Sequence, residues 1–422
     1  AKACPPAPVQ VCGLLETVAL WWQIQIDPFN TSRDARFQSK VETSIAAMEA
    51  WTKAEPRRAE AWFYLGGAYG ARSQFRVLRR QILSAARDGK RIKASLERSL
   101  ALDPDLKDAY FGIGLYHYYA DVAPTAAKLL RFLLLLPGGD KVAGLKEMLQ
   151  ARDGGQLLRS EADYQLHVIY LWYEQQPLRA IELITGLEKR YPHNPHFPQV
   201  IAEIQDVYLH DVTASLRSWQ ALLVTAREGR FAALSGMAET RARLGIAAGL
   251  DRLYETDLAV NELRALVEAK PAAPFGAAAE AQRQLDRALA RLRDPAYRLS
   301  LEGWRALERG AMADAARALA QSLTMRPDDP VTRYRHARLL QLQNDDTAAL
   351  PVLESLVRAR TTVPPTFYAA ACVDAARIHE RQGAPARALE LYRNARTVFG
   401  ADQRTKDEAQ RAITRLTTAT PR

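Results

Sequence analysis

The sequence predicts an all-α chain: helical hairpins stacked one on the next. Three observations predict it. Several windows are rich in Ala, Leu, Arg and Glu, the strongest helix formers. No comparable alternation of Val, Ile and Thr supports strands. Large, small and Pro positions return in step down the chain, the mark of an internal repeat.

The repeat sets the elements in order. Between Ala59 and Pro104, residues Trp62, Leu65, Gly66 and Tyr69 share the spacing of a first helix. Leu96, Ser99 and Pro104 share that of a second helix and its closing turn. The reason is packing. A small residue after the Leu lets two helices approach, and a small residue on the second helix receives a large one from the first. Pro then ends the second helix, because it cannot continue the hydrogen-bond ladder. Tyr110, Ile113 and Gly114 repeat the first helix, and Ala180, Ile184, Leu187 and Pro192 the second. Leu244 and Gly245 lead to Ala259, Leu263, Leu266 and Pro271, and Gly303 leads to Ala315, Leu319, Ser322 and Pro327. Ala315 and Ala349 stand 34 residues apart, one unit length. Ala376, Gly383, Ala388, Tyr392 and Ala395 form the last unit, and Ser44, Met48, Trp51 and Pro56 look like a lone second helix upstream.

These residues resemble the tetratricopeptide repeat family over about residues 35 to 400, most strongly at 59–120, 160–192 and 296–400. The resemblance implies a right-handed superhelical solenoid with irregular insertions. Three departures shape the organisation. About fourteen residues are inserted between Tyr69 and Ile92. Residues 121–140 extend the next hairpin, and residues 272–295 form a lone connecting helix. The expected layout is an N-terminal segment, 1–33; an insertion-laden block, 34–271; the connecting helix, 272–295; a regular block, 296–400; and a capping helix and tail, 401–422. Residues 109–200 carry a narrower pattern: Tyr110-Phe-Gly-Ile-Gly-Leu, Lys128-Leu-Leu, Pro137-Gly-Gly-Asp140, Gly144-Leu145 and a long aromatic helix. They resemble the tetratricopeptide family linked to inclusion-body clearance at mitochondrial membranes. That would imply a protein or lipid-linked binding role.

In such arrays one face of every first helix lines a groove. The register directs Phe63, Phe111, Leu115, Tyr118, Tyr119, Tyr164, Val168, Leu171 and Trp172 there in the N-terminal half. Tyr and Trp offer large contact area with a polar tip and are enriched at binding hot spots. Packing of these rings on the inserted segments is the competing expectation. In the C-terminal half the inward positions include Trp304, Tyr334, Arg338, Arg377, Glu380 and Arg381. Arginines there can clamp a carboxylate bidentately, or simply form a solvated face.

The formal net charge is +10, which favours acidic partners. A basic stretch runs through the first insertion: Arg72, Arg76, Arg79, Arg80, Arg87, Lys90, Arg91 and Lys93. Phe75, Leu78 and Ile82 mark an apolar face at helical spacing. The stretch reads as the solvated side of a long hairpin, a dock for an acidic partner, or a contact with anionic lipid. Nucleic acid fits least, because aromatic residues are not interleaved.

No catalytic constellation stands out, and no cofactor or metal is expected. The closest histidines, His193 and His196, lack a third ligand in reach. His117 and His379 take the usual Tyr position of the repeat and read as packing residues. There is no Walker loop, dinucleotide fingerprint or nucleophile elbow. Arg152-Asp-Gly-Gly155 is a turn without a preceding strand. An enzyme built on this scaffold would need a groove Glu or His with a shifted pKa, and Glu161 and His167 are the candidates.

Cys4 and Cys12 flank a Pro-rich loop and read as a disulfide staple, while Cys372 reads as a small core residue. Ala1-Lys-Ala resembles the region around a signal-peptidase site, so a periplasmic or secreted location is expected. The run Leu129 to Leu136 is too short to span a bilayer and carries Arg131. The expected function is a non-catalytic scaffold for protein partners in the cell envelope. The alternatives are an envelope factor for lipid or polysaccharide export, or a helical-solenoid enzyme.

Overall fold

The structure, a computed structural model, describes residues 9–122 and 138–418. Every regular element among them is a helix. The chain divides into two compact units, Ala1–Tyr191 and Pro192–Arg422.

The first unit contains α1 (Val9–Ile26), α2 (Asp34–Ala54), α3 (Ala59–Leu78), α4 (Ile82–Leu102), α5 (Ala109–Val122), α6 (Lys141–Gly154), α7 (Arg159–Trp172) and α8 (Pro177–Arg190). The second contains α9 (His196–Val207), α10 (Val212–Arg227), α11 (Ser235–Arg252), α12 (Thr256–Ala269), α13 (Ala277–Leu292), α14 (Pro295–Glu308), α15 (Met312–Met325), α16 (Pro330–Leu342), α17 (Asp346–Arg358), α18 (Pro365–Arg381), α19 (Pro385–Arg396) and α20 (Gln403–Thr418). Within each unit a helix packs chiefly on its sequence neighbours. First helices also touch the next first helix, as in α3–α5, α14–α16 and α16–α18. That pattern is the signature of a stacked hairpin array.

The small positions do what the register requires. A Cβ on Gly66 would lie 2.8 Å from the Leu96 side chain, and one on Gly303 would lie 2.6 Å from Leu319. Both glycines admit the large residue of their own second helix. A polar pin accompanies each contact. Ser99 Oγ donates to the Ala59 carbonyl at 2.9 Å, and Ser322 Oγ donates to the Ala296 carbonyl at 2.8 Å. Helix starts are equally local in origin. Asp294 and Asp329 accept N–H groups of α14 and α16, and each precedes a Pro that begins its helix.

The first insertion is absorbed by lengthening. Helices α3 and α4 run 20 and 21 residues, against 14 each for α14 and α15. The extra turns are joined by a buried ion pair. Arg72 Nε and one terminal nitrogen bond the Asp88 carboxylate at 3.0 and 2.7 Å, and Arg76 adds a third bond at 2.6 Å. Glu42 binds the other terminal nitrogen of Arg72. Burying one carboxylate is tolerable only with such partners.

The segment that follows the Arg152–Gly155 turn has a structural role. Three consecutive backbone N–H groups, of Gln156, Leu157 and Leu158, donate to the buried Asp108 carboxylate at 2.8 to 3.0 Å. The segment after Gly155 thus holds a carboxylate of the chain itself, from the residue just before α5.

The expected connecting helix, α13, lies inside the second unit and packs on α11, α12 and α14. Ala281, Leu285 and Ala288 carry its buried face. Cys372 is buried and free, and burial pushes its thiol up to about 11. Cys4, Lys128 and the Leu129–Leu136 run lie outside the described residues. Among the described residues no helix is long and apolar enough to cross a membrane, and no group of three potential metal ligands forms.

Candidate partner-binding surfaces

In the first unit the groove residues expected from the register separate into three kinds. Phe63 is buried with Leu96, Ala109 and Ile113, between successive hairpins. Phe111 is buried against Ala151 and Ala162. Tyr118 is fully buried, and its hydroxyl donates to Glu174 at 2.6 Å. These three are corrections to the groove assignment. Their rings fill the seam between hairpins, because a residue one step round the helix from the groove meets the next hairpin instead.

Tyr119 and Tyr164 are half-buried. Tyr118, Tyr119 and Tyr173 form a trio of edge contacts with centroids 5.6 to 5.8 Å apart. Burial raises the phenols of Tyr118 and Tyr119 well above their ordinary value, the Glu174 carboxylate adding to the effect at Tyr118. Glu174 is held low by that same hydrogen bond, and Lys141 Nζ lies 3.3 Å away. Beside this braced corner, Trp172 is 63% exposed at the end of α7.

Tyr164 meets a partner that sequence reasoning missed. Trp22 of α1 packs edge-on against it at 5.0 Å. The two residues are far apart in the chain and share no repeat position, so no local spacing could signal the contact. Glu161, one turn before, is pushed up to about 7 by burial, with one long hydrogen bond from Gln165 against the shift. His167 is pushed down to about 4 by burial, and its Nδ1 meets the Tyr164 carbonyl. Six residues of helix set Glu161 and His167 about 120° apart around α7. The bonds each makes are to Gln165 and to the Tyr164 carbonyl, not to each other.

The basic stretch is divided. Arg76 and Arg79 were expected on the surface, but both turn inward. Arg76 reaches buried Asp88, and Arg79 grips Asp34 with two bonds of 2.6 and 2.8 Å. Arg80, Arg87, Lys90 and Arg91 are exposed.

In the second unit the arginines do clamp carboxylates, and the carboxylates belong to the chain. Buried Asp374 gathers Tyr334 Oη at 3.1 Å, Arg377 at 3.1 Å and Arg338 at 3.4 Å. Burial raises Asp374, and the two arginines oppose the rise. Arg377 also bonds Glu408, and Arg381 holds Asp346 through two bonds of 2.8 Å. Next to this network lies Arg335, 1% exposed and absent from the expected set. It donates to Ser300 Oγ at 3.0 Å and to the Tyr254 carbonyl at 2.8 Å, with Trp304 under its guanidinium. Tyr254 meets Phe367 edge-on, and Phe367 meets Tyr334 edge-on, with centroids 5.6 and 5.5 Å apart. This face is knitted to itself by aromatic and charged side chains.

The histidines make backbone and carboxylate contacts. His193 Nδ1 sits 2.9 Å from the Arg230 carbonyl. His117 and His379 each contact a glutamate on a neighbouring helix, Glu147 at 2.8 Å and Glu354 at 3.0 Å.

Gly66 over Leu96, Gly303 over Leu319, and the serine pins fix the kind of hairpin. Both units are built of tetratricopeptide-type hairpins. Among solved structures the chain is similar to the tetratricopeptide domain of P58(IPK), at 13% identity over 95% of this chain and 98% of that one, TM-score 0.32. It is similar to the apo form of RapI, at 12% identity over 97% and 99%, TM-score 0.41. A tetratricopeptide repeat protein from Parabacteroides merdae is similar at 15% identity over 68% of this chain and 96% of that one, TM-score 0.32. No family model and no curated protein matches the chain.

Proposed function

We propose that this chain is a non-catalytic scaffold that binds protein partners in the cell envelope through the exposed aromatic corner at the end of α7. The observation that carries the reading is Trp172. A Trp left mostly in water beside a braced Tyr cluster has the composition and the rigidity of an interface anchor. Tyr173 and Glu174 follow it in the chain and supply polar groups, Tyr173 in edge contact with Tyr119 and Glu174 paired with Lys141. The formal charge of +10 supports a partner with an acidic surface or an acidic extended segment. The scaffold would serve as a subunit of a larger assembly.

Trp172→Ala tests the reading, because the exposed ring contributes little to folding. Affinity purification from the native source, with parent and variant side by side, should recover the partner with the parent only. Hot-spot truncation costs about 2 kcal/mol or more. Equal recovery by the variant rejects this corner as the anchor. Tyr118 is unsuitable for the same test, since its buried ring makes binding loss and unfolding indistinguishable. The envelope location rests on the Cys4–Cys12 spacing, which suits a disulfide in an oxidising compartment. Subcellular fractionation, with peptide mapping of those cysteines under non-reducing conditions, tests it. Reduced Cys4 and Cys12 in a cytosolic fraction would reject it.

A further inference from the structure

One end of the first unit carries a surface that the partner corner does not use. The α1–α2 loop and the α3–α4 turn meet there. Arg79 ties them together, bonding Asp34 with two nitrogens and the Pro28 carbonyl with the third at 2.7 Å. With Arg79 spent inside, the two tips present large apolar side chains to water. Phe29 is 77% exposed, Val77 and Ile82 55% each, and Leu83 51%. Arg36, Arg80, Arg87 and Lys90 are exposed on the same two segments, and none has an ion-pair partner among the described residues. Leu83, Arg87 and Lys90 follow i, i+4, i+7 and share one stripe of α4. Of the acidic groups nearby, Asp34 is committed to Arg79 and Asp88 to Arg72 and Arg76, and Asp27 is buried with Asn30 against it.

We infer that these two tips form a peripheral docking surface for an anionic lipid bilayer. Apolar tips that enter the acyl boundary, flanked by free cations that reach the head groups, are what interfacial binding needs. The charge complementarity is direct, since unpaired Arg and Lys meet lipid phosphate. Nucleic acid would leave the aliphatic side chains without a role. The rigid brace from Arg79 holds both tips in register, so contact with a surface requires no rearrangement of the loops. The inference is independent of the Trp172 corner. Failure of partner capture there leaves this surface untouched.

The test uses the full chain and sedimentation with two vesicle types: phosphatidylcholine alone, and phosphatidylcholine with about a third phosphatidylglycerol. The parent should bind the anionic vesicles at low salt, with affinity falling as salt rises. Arg80→Glu, Arg87→Glu and Lys90→Glu together should weaken binding on the order of a hundredfold. Phe29→Ser, Ile82→Ser and Leu83→Ser together should weaken it by at least tenfold. A control reverses three exposed arginines of the second unit, Arg264→Glu, Arg309→Glu and Arg411→Glu, and should bind like the parent. Leu83→Trp reports on the native fold, and its added emission should shift to the blue on anionic vesicles. No binding at low salt, or no blue shift, overturns the inference. So does an equal loss in the control, which would reduce the effect to net charge. Retention on polyglutamate without vesicle binding also overturns it and assigns the tips to an acidic protein.

Discussion

Asp211 caps two helices that start 191 residues apart, its own α10 and the terminal α20. One carboxylate oxygen accepts the Ala214 N–H at 2.8 Å, and the other accepts the Gln403 N–H at 3.1 Å. His210 packs on Phe399 at 4.9 Å alongside, and Arg217 lies 3.5 Å from Asp402. The first hairpin of the second unit is thus clasped to the last helix of the same unit.

The clasp predicts a local effect of Asp211→Ala. Each lost cap costs about 1 kcal/mol. Because hairpin arrays open piecewise, the loss should concentrate at the two helix starts. Hydrogen exchange should quicken at residues 403–407 and 212–215, while α14 to α16 stay protected. Unchanged exchange at residue 403 would mean that α20 is held without this cap, by Ala409, Ala412 and Ile413 and by its bonds to Arg377 and Glu380.

The buried ion pair of the long hairpin makes the opposite kind of prediction. Asp88→Ala leaves Arg72 with Glu42 as its one carboxylate and Arg76 with only the Ser84 carbonyl, so it should cost about 3 to 5 kcal/mol. Glu42→Ala removes a partner that water can replace, and should cost about 1 kcal/mol or less. Urea denaturation followed by Trp fluorescence separates the two, since Trp21, Trp51 and Trp62 all report on this unit. Similar losses in both variants would refute the assignment of Asp88 as the organising group.

The features that were legible in the sequence are those whose partners lie within one hairpin. Gly66 and Leu96, or Gly303 and Leu319, are joined by a fixed spacing, so the register exposes them. Ser99 and Ser322 were legible for the same reason. Features that join distant turns of an array carry no spacing. Arg335 to Tyr254 spans 81 residues, and Asp211 to Gln403 spans 192. Arg335 was missed for a further reason: Arg in a helix reads as a solvated residue, and only the Trp304 face and two hydrogen bonds make its burial tolerable. The aromatic segment was legible in composition, but not in which ring faces water. Phe63, Phe111, Tyr118 and Trp172 share a chemical class, and a small rotation of the register separates core from surface.

Close helix contacts differ in how much they can yield, and Gly144 and Gly66 should show it. Helices α5 and α6 cross glycine to glycine. A Cβ on Gly144 would lie 2.6 Å from both the Gly114 carbonyl and the Tyr118 nitrogen. Backbone cannot rotate away, so Gly144→Ala must push the helices apart and disturb Tyr118 and its bond to Glu174. A Cβ on Gly66 meets side-chain atoms, Cγ and Cδ2 of Leu96, which can give more readily than backbone. We expect Gly144→Ala to cost about 3 kcal/mol and Gly66→Ala about 1 kcal/mol. Thermal denaturation with far-ultraviolet dichroism gives the order, and a reversed order would contradict the crossing geometry.

The two shifted groups of α7 give the first unit a distinctive pH response. Glu161 sits at about 7, above its ordinary carboxyl value, because burial penalises its charged form. A raised acid favours folding while it is protonated, so its contribution is full below about pH 4 and is lost as pH rises to about 7. His167 sits at about 4, below the ordinary imidazole value, again from burial. Its contribution is full above about pH 6.5 and is lost as pH falls through about 4. The two losses run in opposite directions and overlap between those values. Glu161→Gln removes only the first. It should therefore stabilise the unit by on the order of 2 kcal/mol above about pH 7, and by nothing near pH 4. His167→Gln would leave that difference intact. Denaturation across this range, in parent and Glu161→Gln, reads the effect directly. A constant offset between them would mean that the Glu161 carboxyl is hydrated in the folded chain.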